Sequence, residues 1–85
     1  MSLEEWQANL AEYRKIIILA LVTREKAQPP LRVWYLKHSL SKNEHIDFDE
    51  ALRYAVADGE VIMHKGDVIM RGPNFDLAVS DIADR

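Results

Sequence analysis

At 85 residues and 48 % hydrophobic content, the chain reads as one α+β domain near the lower size limit for a self-sufficient core, and its composition excludes long-range disorder. It has no cysteine, which excludes disulfides, thiolate zinc sites and thiol catalysis. The net charge of −3 hides an asymmetry: residues 1–42 carry seven Lys/Arg and four Glu, and residues 43–85 carry four Lys/Arg and ten Asp/Glu, balances of +3 and −6.

Ser2-Leu3-Glu4-Glu5 fits a capping box and starts a first helix of about 20 residues. Leu3, Trp6, Leu10, Tyr13, Ile17 and Ala20 or Leu21 recur at spacings of three and four. The second half of this helix is apolar nearly all round and is expected at the centre of the core. The first half carries one apolar stripe, Trp6-Leu10-Tyr13, which is expected to outrun the core and need a cover. The run Ile16–Val22 is too short to span a membrane, because a span needs roughly 20 apolar residues and Arg14, Lys15, Arg24 and Glu25 flank this one. No signal peptide is recognised, and a soluble cytoplasmic protein is expected.

Gln28-Pro29-Pro30 closes this region. A second helix is expected at about 30–41, with the stripe Val33, Leu36 and Leu40. Trp34 and Tyr35 point about 100° apart on it. Either Trp34 packs in the core with Tyr35 at its boundary, or one of the two anchors a partner. Ser41-Lys42-Asn43-Glu44 reads as a polar turn. Asp47-Phe48-Asp49-Glu50 reads as a second capping box opening a third helix, whose core stripe is Phe48, Ala51, Leu52, Ala55 and Val56. Gly59 stops it.

Gly59-Glu60-Val61-Ile62-Met63-His64 then returns as Gly66-Asp67-Val68-Ile69-Met70-Arg71. Two such runs around Lys65-Gly66 predict a β-hairpin. With a two-residue loop, His64 opposes Asp67, Ile62 opposes Ile69 and Glu60 opposes Arg71. Val61, Met63, Val68 and Met70 then form an apolar face, and the Ile62–Ile69 pair points outward, covered by the tail or a partner. A three-residue loop is the alternative. Phe75, Leu77 and Val79 alternate as a possible short third strand or an extended tail over residues 73–85.

His38, His45 and His64 lie in three different elements without metal-ligand spacing, so no metal site is read. Asp47, Asp49 and Glu50 are explained by their place at a helix start. No phosphate loop or nucleophile elbow occurs, so neither catalytic residues nor cofactors are expected, and the chain is read as non-enzymatic.

The run Phe48–Ile62, a helix joined by Gly59 to a β-strand, follows two earlier helices. In this order it resembles the winged helix-turn-helix superfamily over about residues 14–72. The resemblance implies three helices followed by a hairpin, with the third helix and the hairpin reading DNA. Here those parts are acidic, offering Asp49, Glu50, Arg53 and Asp58 and, at the hairpin tip, His64, Lys65 and Asp67. Nucleic-acid affinity rests on neutralising phosphates. The first expectation is therefore a regulator acting through protein–protein contacts: a homodimer through the first helix, with an unidentified protein, of basic character, meeting the acidic face. The interface residues are Trp6, Leu10, Tyr13, Tyr35, Ile62 and Ile69. The alternative is a DNA-binding regulator using Arg24, Lys26, Arg32, Lys37, Lys42, Lys65 and Arg71.

Overall fold

The computed structural model describes residues 2–24 and 30–84. Its elements are α1 (Leu3–Val22), β1 (Leu31–Arg32), α2 (Val33–Lys37), α3 (Lys42–Ala57), β2 (Val61–His64), β3 (Val68–Arg71) and α4 (Phe75–Ala83). The class is α+β as expected, but the order is not three helices and then a hairpin. A strand stands between the first two helices, and a fourth helix follows the hairpin.

α1 begins as the sequence suggests, with the Ser2 hydroxyl accepting from the Glu5 N–H at 3.2 Å. The second element differs from expectation. Residues 31–32 pair antiparallel with β3, Leu31 opposite Ile69 and Arg32 opposite Val68. Burying Leu31 while leaving Arg32 outward is the period of a strand, which the helical reading of this stretch overlooked. β1 thus supplies the third strand of a sheet ordered β1-β3-β2, and only five residues are left for α2.

α3 starts earlier than the Asp47 box implies, because Ser41-Lys42-Asn43-Glu44 is itself a capping box. The Ser41 hydroxyl accepts from the Glu44 N–H at 3.3 Å, and the Glu44 carboxylate accepts from the Ser41 N–H at 3.1 Å. These bonds satisfy donors that the helix cannot. The Ser41 bonds, joined by one from the Tyr13 hydroxyl, hold Glu44 below the usual carboxylate range. A carboxylate with a depressed folded pKa gives stability that is complete above its unfolded value and lost as pH falls through the folded one. A Glu44→Gln variant is expected to flatten the acid limb of urea midpoints measured from roughly pH 6 to pH 3. An unchanged slope would show that other carboxylates carry it.

The hairpin register is one residue away from the two-residue-loop pairing. Val61 opposes Arg71, Ile62 opposes Met70, Met63 opposes Ile69 and His64 opposes Val68. Lys65, Gly66 and Asp67 form the turn, with Gly66 at φ +73. Asp67 is drawn out of the ladder because its carbonyl accepts from the Val33 N–H at 2.7 Å. The slip reassigns the faces. Ile69 is core, 2 % exposed, whereas Ile62 is 46 % exposed opposite an exposed Met70. The expected outward Ile62–Ile69 pair therefore does not exist.

The segment from Phe75 is a helix, not a strand. Phe75 and Ala78 are buried and Val79 and Ile82 half-buried, a spacing of three and four, while Leu77 faces water. α4 packs on α1 and completes a core whose most enclosed side chains are Ile17, Ile18, Phe48 and Val61. Each contributes about 1.5–3 kcal/mol by leaving water. At the rim, the Arg14 guanidinium forks onto Glu60 (2.9 and 2.6 Å) and reaches Asp81 at 2.6 Å, tying α1 to the start of the hairpin and to α4. The Glu60 hydrogen bonds outweigh partial burial and raise the guanidinium pKa above its usual value. Gly59 ends α3 at φ +74. No described helix is long and apolar enough to cross a membrane.

Candidate functional site

α2 is short because it is pinned at both ends. Asp67 accepts from the Val33 N–H through its carbonyl, and its carboxylate accepts from Arg32 at 3.2 Å and from the Trp34 N–H at 3.4 Å. Beyond Lys37, the Nε2 of His45 lies 2.9 Å from the Lys37 carbonyl, and the Nδ1 of His38 meets the Tyr35 carbonyl. A carbonyl can only accept, so each of these ring nitrogens carries a proton.

A single turn of helix can turn only a narrow face inward. Val33 takes the buried position and Leu36 packs partly beneath it. Trp34 and Tyr35 are left outside, each 58 % exposed. With His38 they form a ring cluster at centroid separations of 6.2, 6.3 and 5.6 Å. Trp34 is a ridge between two shallow grooves. One, of about 360 Å³, is lined by Val33, Trp34, Lys37, His38, His45 and Asp67. The other, of about 330 Å³, is lined by Arg24, Pro30, Leu31, Arg32, Trp34 and Tyr35. The surface offers two apolar rings with polar groups around them, which suits shape-selective contact.

Tyr35 is thus exposed rather than at a core boundary, and the reading that packs Trp34 in the core is incorrect. Only the adjacency of the two aromatics hinted at this. The discriminating signal was the in–out alternation of Leu31 and Arg32, which shortens the helix to Val33–Lys37 and gives its inward position to Val33.

The stripe on the first half of α1 is not a projecting face. Tyr13 rests edge-on against Phe48 at 5.9 Å and donates to Glu44 at 3.2 Å. Burial, then the neighbouring Glu44 charge, raises its phenol pKa. Trp6 and Leu10 are half-buried beside it. The second half of α1 buries Ile17, Ile18 and Leu21 in the core as expected, but leaves Ile16, Leu19 and Val22 each 40–41 % exposed, and Leu3 at the helix start is also exposed.

The basic residues do not form one open patch. Arg32 pairs with Asp67 at 3.2 Å and Lys37 with Asp49 at 2.6 Å. Arg71 donates to the Leu21 carbonyl at 2.8 Å, at the C-terminal end of α1, and lies 4.9 Å from the centre of the Phe75 ring. That is a cation satisfying helix-end carbonyls, a structural post rather than a phosphate grip. On α3, Arg53 pairs with Glu50. Lys42 and Lys65 make no ion pair among the described residues, Arg24 borders the second groove, and Lys26 lies outside the described residues. Among the described residues no three His, Asp or Glu side chains converge as metal ligands.

No known family model matches the chain, and neither a curated protein nor a solved structure matches it.

Proposed function

We propose that this chain is a non-enzymatic, winged-helix-like interaction module that binds a partner protein through the aromatic ridge of α2 and associates with itself through α1. The observation carrying the first part is the exposure of Trp34 and Tyr35 side by side between two grooves. Exposed tryptophan and tyrosine in a position to be enclosed are the residue types that dominate binding energy at interfaces. The cations beside them are largely engaged by carboxylates of the same chain, which favours a protein surface over a polyphosphate. The winged-helix part draws support from the order α3, glycine, hairpin. Trp34→Ala and Tyr35→Ala, compared with wild type in quantitative affinity capture from the source cells, are each expected to weaken retention of the same partner roughly 30-fold, about 2 kcal/mol. Equal retention by all three would remove the ridge from the reading.

A second reading, duplex DNA binding, draws on Lys42 at the first turn of α3 and Lys65 in the hairpin turn, both without an ion pair among the described residues. Fluorescence anisotropy of a labelled duplex at low salt separates the two. Steeply salt-dependent binding that is lost in Lys42→Glu with Lys65→Glu would replace the protein-partner reading with this one.

A further inference from the structure

We infer that the outward face of α1 is the contact with a second copy of this chain, formed by antiparallel two-fold pairing of α1 with α1 in which Glu12 of each copy meets Lys15 of the other. The inference rests on the self-association reading above and names its surface and geometry.

Exposed positions of α1 recur at helical spacing along one face: Ala8, Glu12, Lys15, Leu19 and Val22, with Ile16 alongside. The apolar members Ile16, Leu19 and Val22 lie within two turns of one another and are each 40–41 % exposed. They are the large apolar side chains that the second half of the helix leaves uncovered. Glu12 and Lys15, in the middle of the same face, make no ion pair among the described residues.

Charge decides the orientation. A parallel pair in register sets Glu12 against Glu12 and Lys15 against Lys15. An antiparallel pair, with its two-fold axis level with the Tyr13–Arg14 peptide, sets each Glu12 against a Lys15 and closes two ion pairs. The same register places Leu19 over Ala8 of the other copy, large against small, and brings the two Ile16 side chains together beside the axis. It overlaps Glu5 through Val22, about 27 Å of helix at 1.5 Å per residue. A shallow groove of about 240 Å³, lined by Ala11, Glu12, Arg14, Lys15 and Ile82, runs beside the seam between α1 and α4. It has room for the aliphatic stem of Lys15 from the second copy, whose ammonium then reaches Glu12. A two-fold contact of this kind buries every participating residue twice and closes on itself.

Sedimentation equilibrium on the full chain, from micromolar to millimolar, tests this. The wild type is expected to be a monomer–dimer system, and Leu19→Glu a folded monomer by circular dichroism. Glu12→Lys and Lys15→Glu, both on the solvent face, are each expected to weaken dimerisation at least tenfold, and the double reversal is expected to restore it, because it re-forms both cross-pairs in the opposite sense. Trp34→Ala is expected to dimerise as the wild type does, so that loss of the α2 reading and loss of this one are separate results. A wild type monomeric throughout, a Leu19→Glu dimer, a double reversal no tighter than the single variants, or a dimer dissolved by Trp34→Ala would each overturn the inference.

Discussion

Gly72→Ala is expected to cost about 3 kcal/mol or more, a large share of the roughly 5–15 kcal/mol typical of a domain. The reason is not conformational, since Gly72 does not have a positive φ. It is the crossing of two backbones. A Cβ at position 72 would lie 2.3 Å from the Gly59 carbonyl oxygen and 2.9 Å from the carbonyl carbons of Gly59 and Glu60. No flexible side chain is available to yield, so the strand leaving the hairpin must move away from the end of α3. That movement breaks the bonds that close the crossing: Gly72 N–H to the Glu60 carbonyl at 2.9 Å and Asn74 N–H to the Gly59 carbonyl at 2.8 Å. It also pulls on the Asn74 side-chain amide, which donates to the Asp58 carbonyl at 2.9 Å. Gly66→Ala is the informative control. Gly66 has a positive φ, but nothing lies within 4 Å of the added atom, so only the left-handed penalty of about 1–2 kcal/mol applies. Urea denaturation of both variants is the measurement. Equal losses would mean that the crossing opens freely.

Arg14→Met is expected to cost about 3 kcal/mol, because it strands a carboxylate. The Glu60 side chain is only 10 % exposed and both its oxygens accept from Arg14, while Arg14 itself is 24 % exposed. Removing one member of a buried pair leaves an uncompensated charge, which is worse than removing both. Arg14→Met combined with Glu60→Leu is therefore expected to recover most of the loss, through apolar contact beside α4. Asp81, at 42 % side-chain exposure, contributes the weaker arm, and Asp81→Asn is expected to cost under about 1 kcal/mol. Arg14→Met, Glu60→Leu and the double variant form a mutant cycle in urea. Arg14→Met and the double variant equally destabilised would show that the geometry of the fork, rather than the stranded charge, sets the cost.

The parts of the fold readable in the sequence were those with a local cause. The Ser2 cap, the stripe Phe48, Ala51, Leu52 and Ala55 (its fifth expected member, Val56, is exposed) and the stop at Gly59 each follow from residues close together in the chain, and each is present. What escaped depended on partners far along the chain. Leu31-Arg32 is too short to announce a strand and becomes one because β3, more than thirty residues on, offers an open edge. Of the two hairpin loops that the sequence left open, the three-residue one is present, and the choice turned on Asp67, whose carbonyl is taken by Val33 rather than by the ladder. In the tail, the alternation of Phe75, Leu77 and Val79 competed with the helical set Phe75, Ala78, Val79 and Ile82, and the helix prevailed because α1 had a face for it. The candidate surface inherits these errors. For Trp34 two readings were open, packing in the core or anchoring a partner, and its exposure on the five-residue α2 removes the first. The stripe on α1 was assigned to the half that α3 already covers, since apolar character on every side of Ile16–Val22 gives no indication of which side the other elements will leave bare.

The two tryptophans occupy opposite circumstances, Trp6 half-buried on α1 and Trp34 in water on α2. The molecule thus carries two optical reporters with separate duties. Emission from Trp6 changes when the helices come apart and should trace the denaturation curve. Trp34 is more than half exposed in the folded chain, so its emission is expected to change less on unfolding than that of Trp6 and to shift to the blue when something covers the ridge. In a Trp6→Phe background, intrinsic fluorescence reads docking on α2 without a label. In a Trp34→Phe background, the same instrument reads the integrity of the fold.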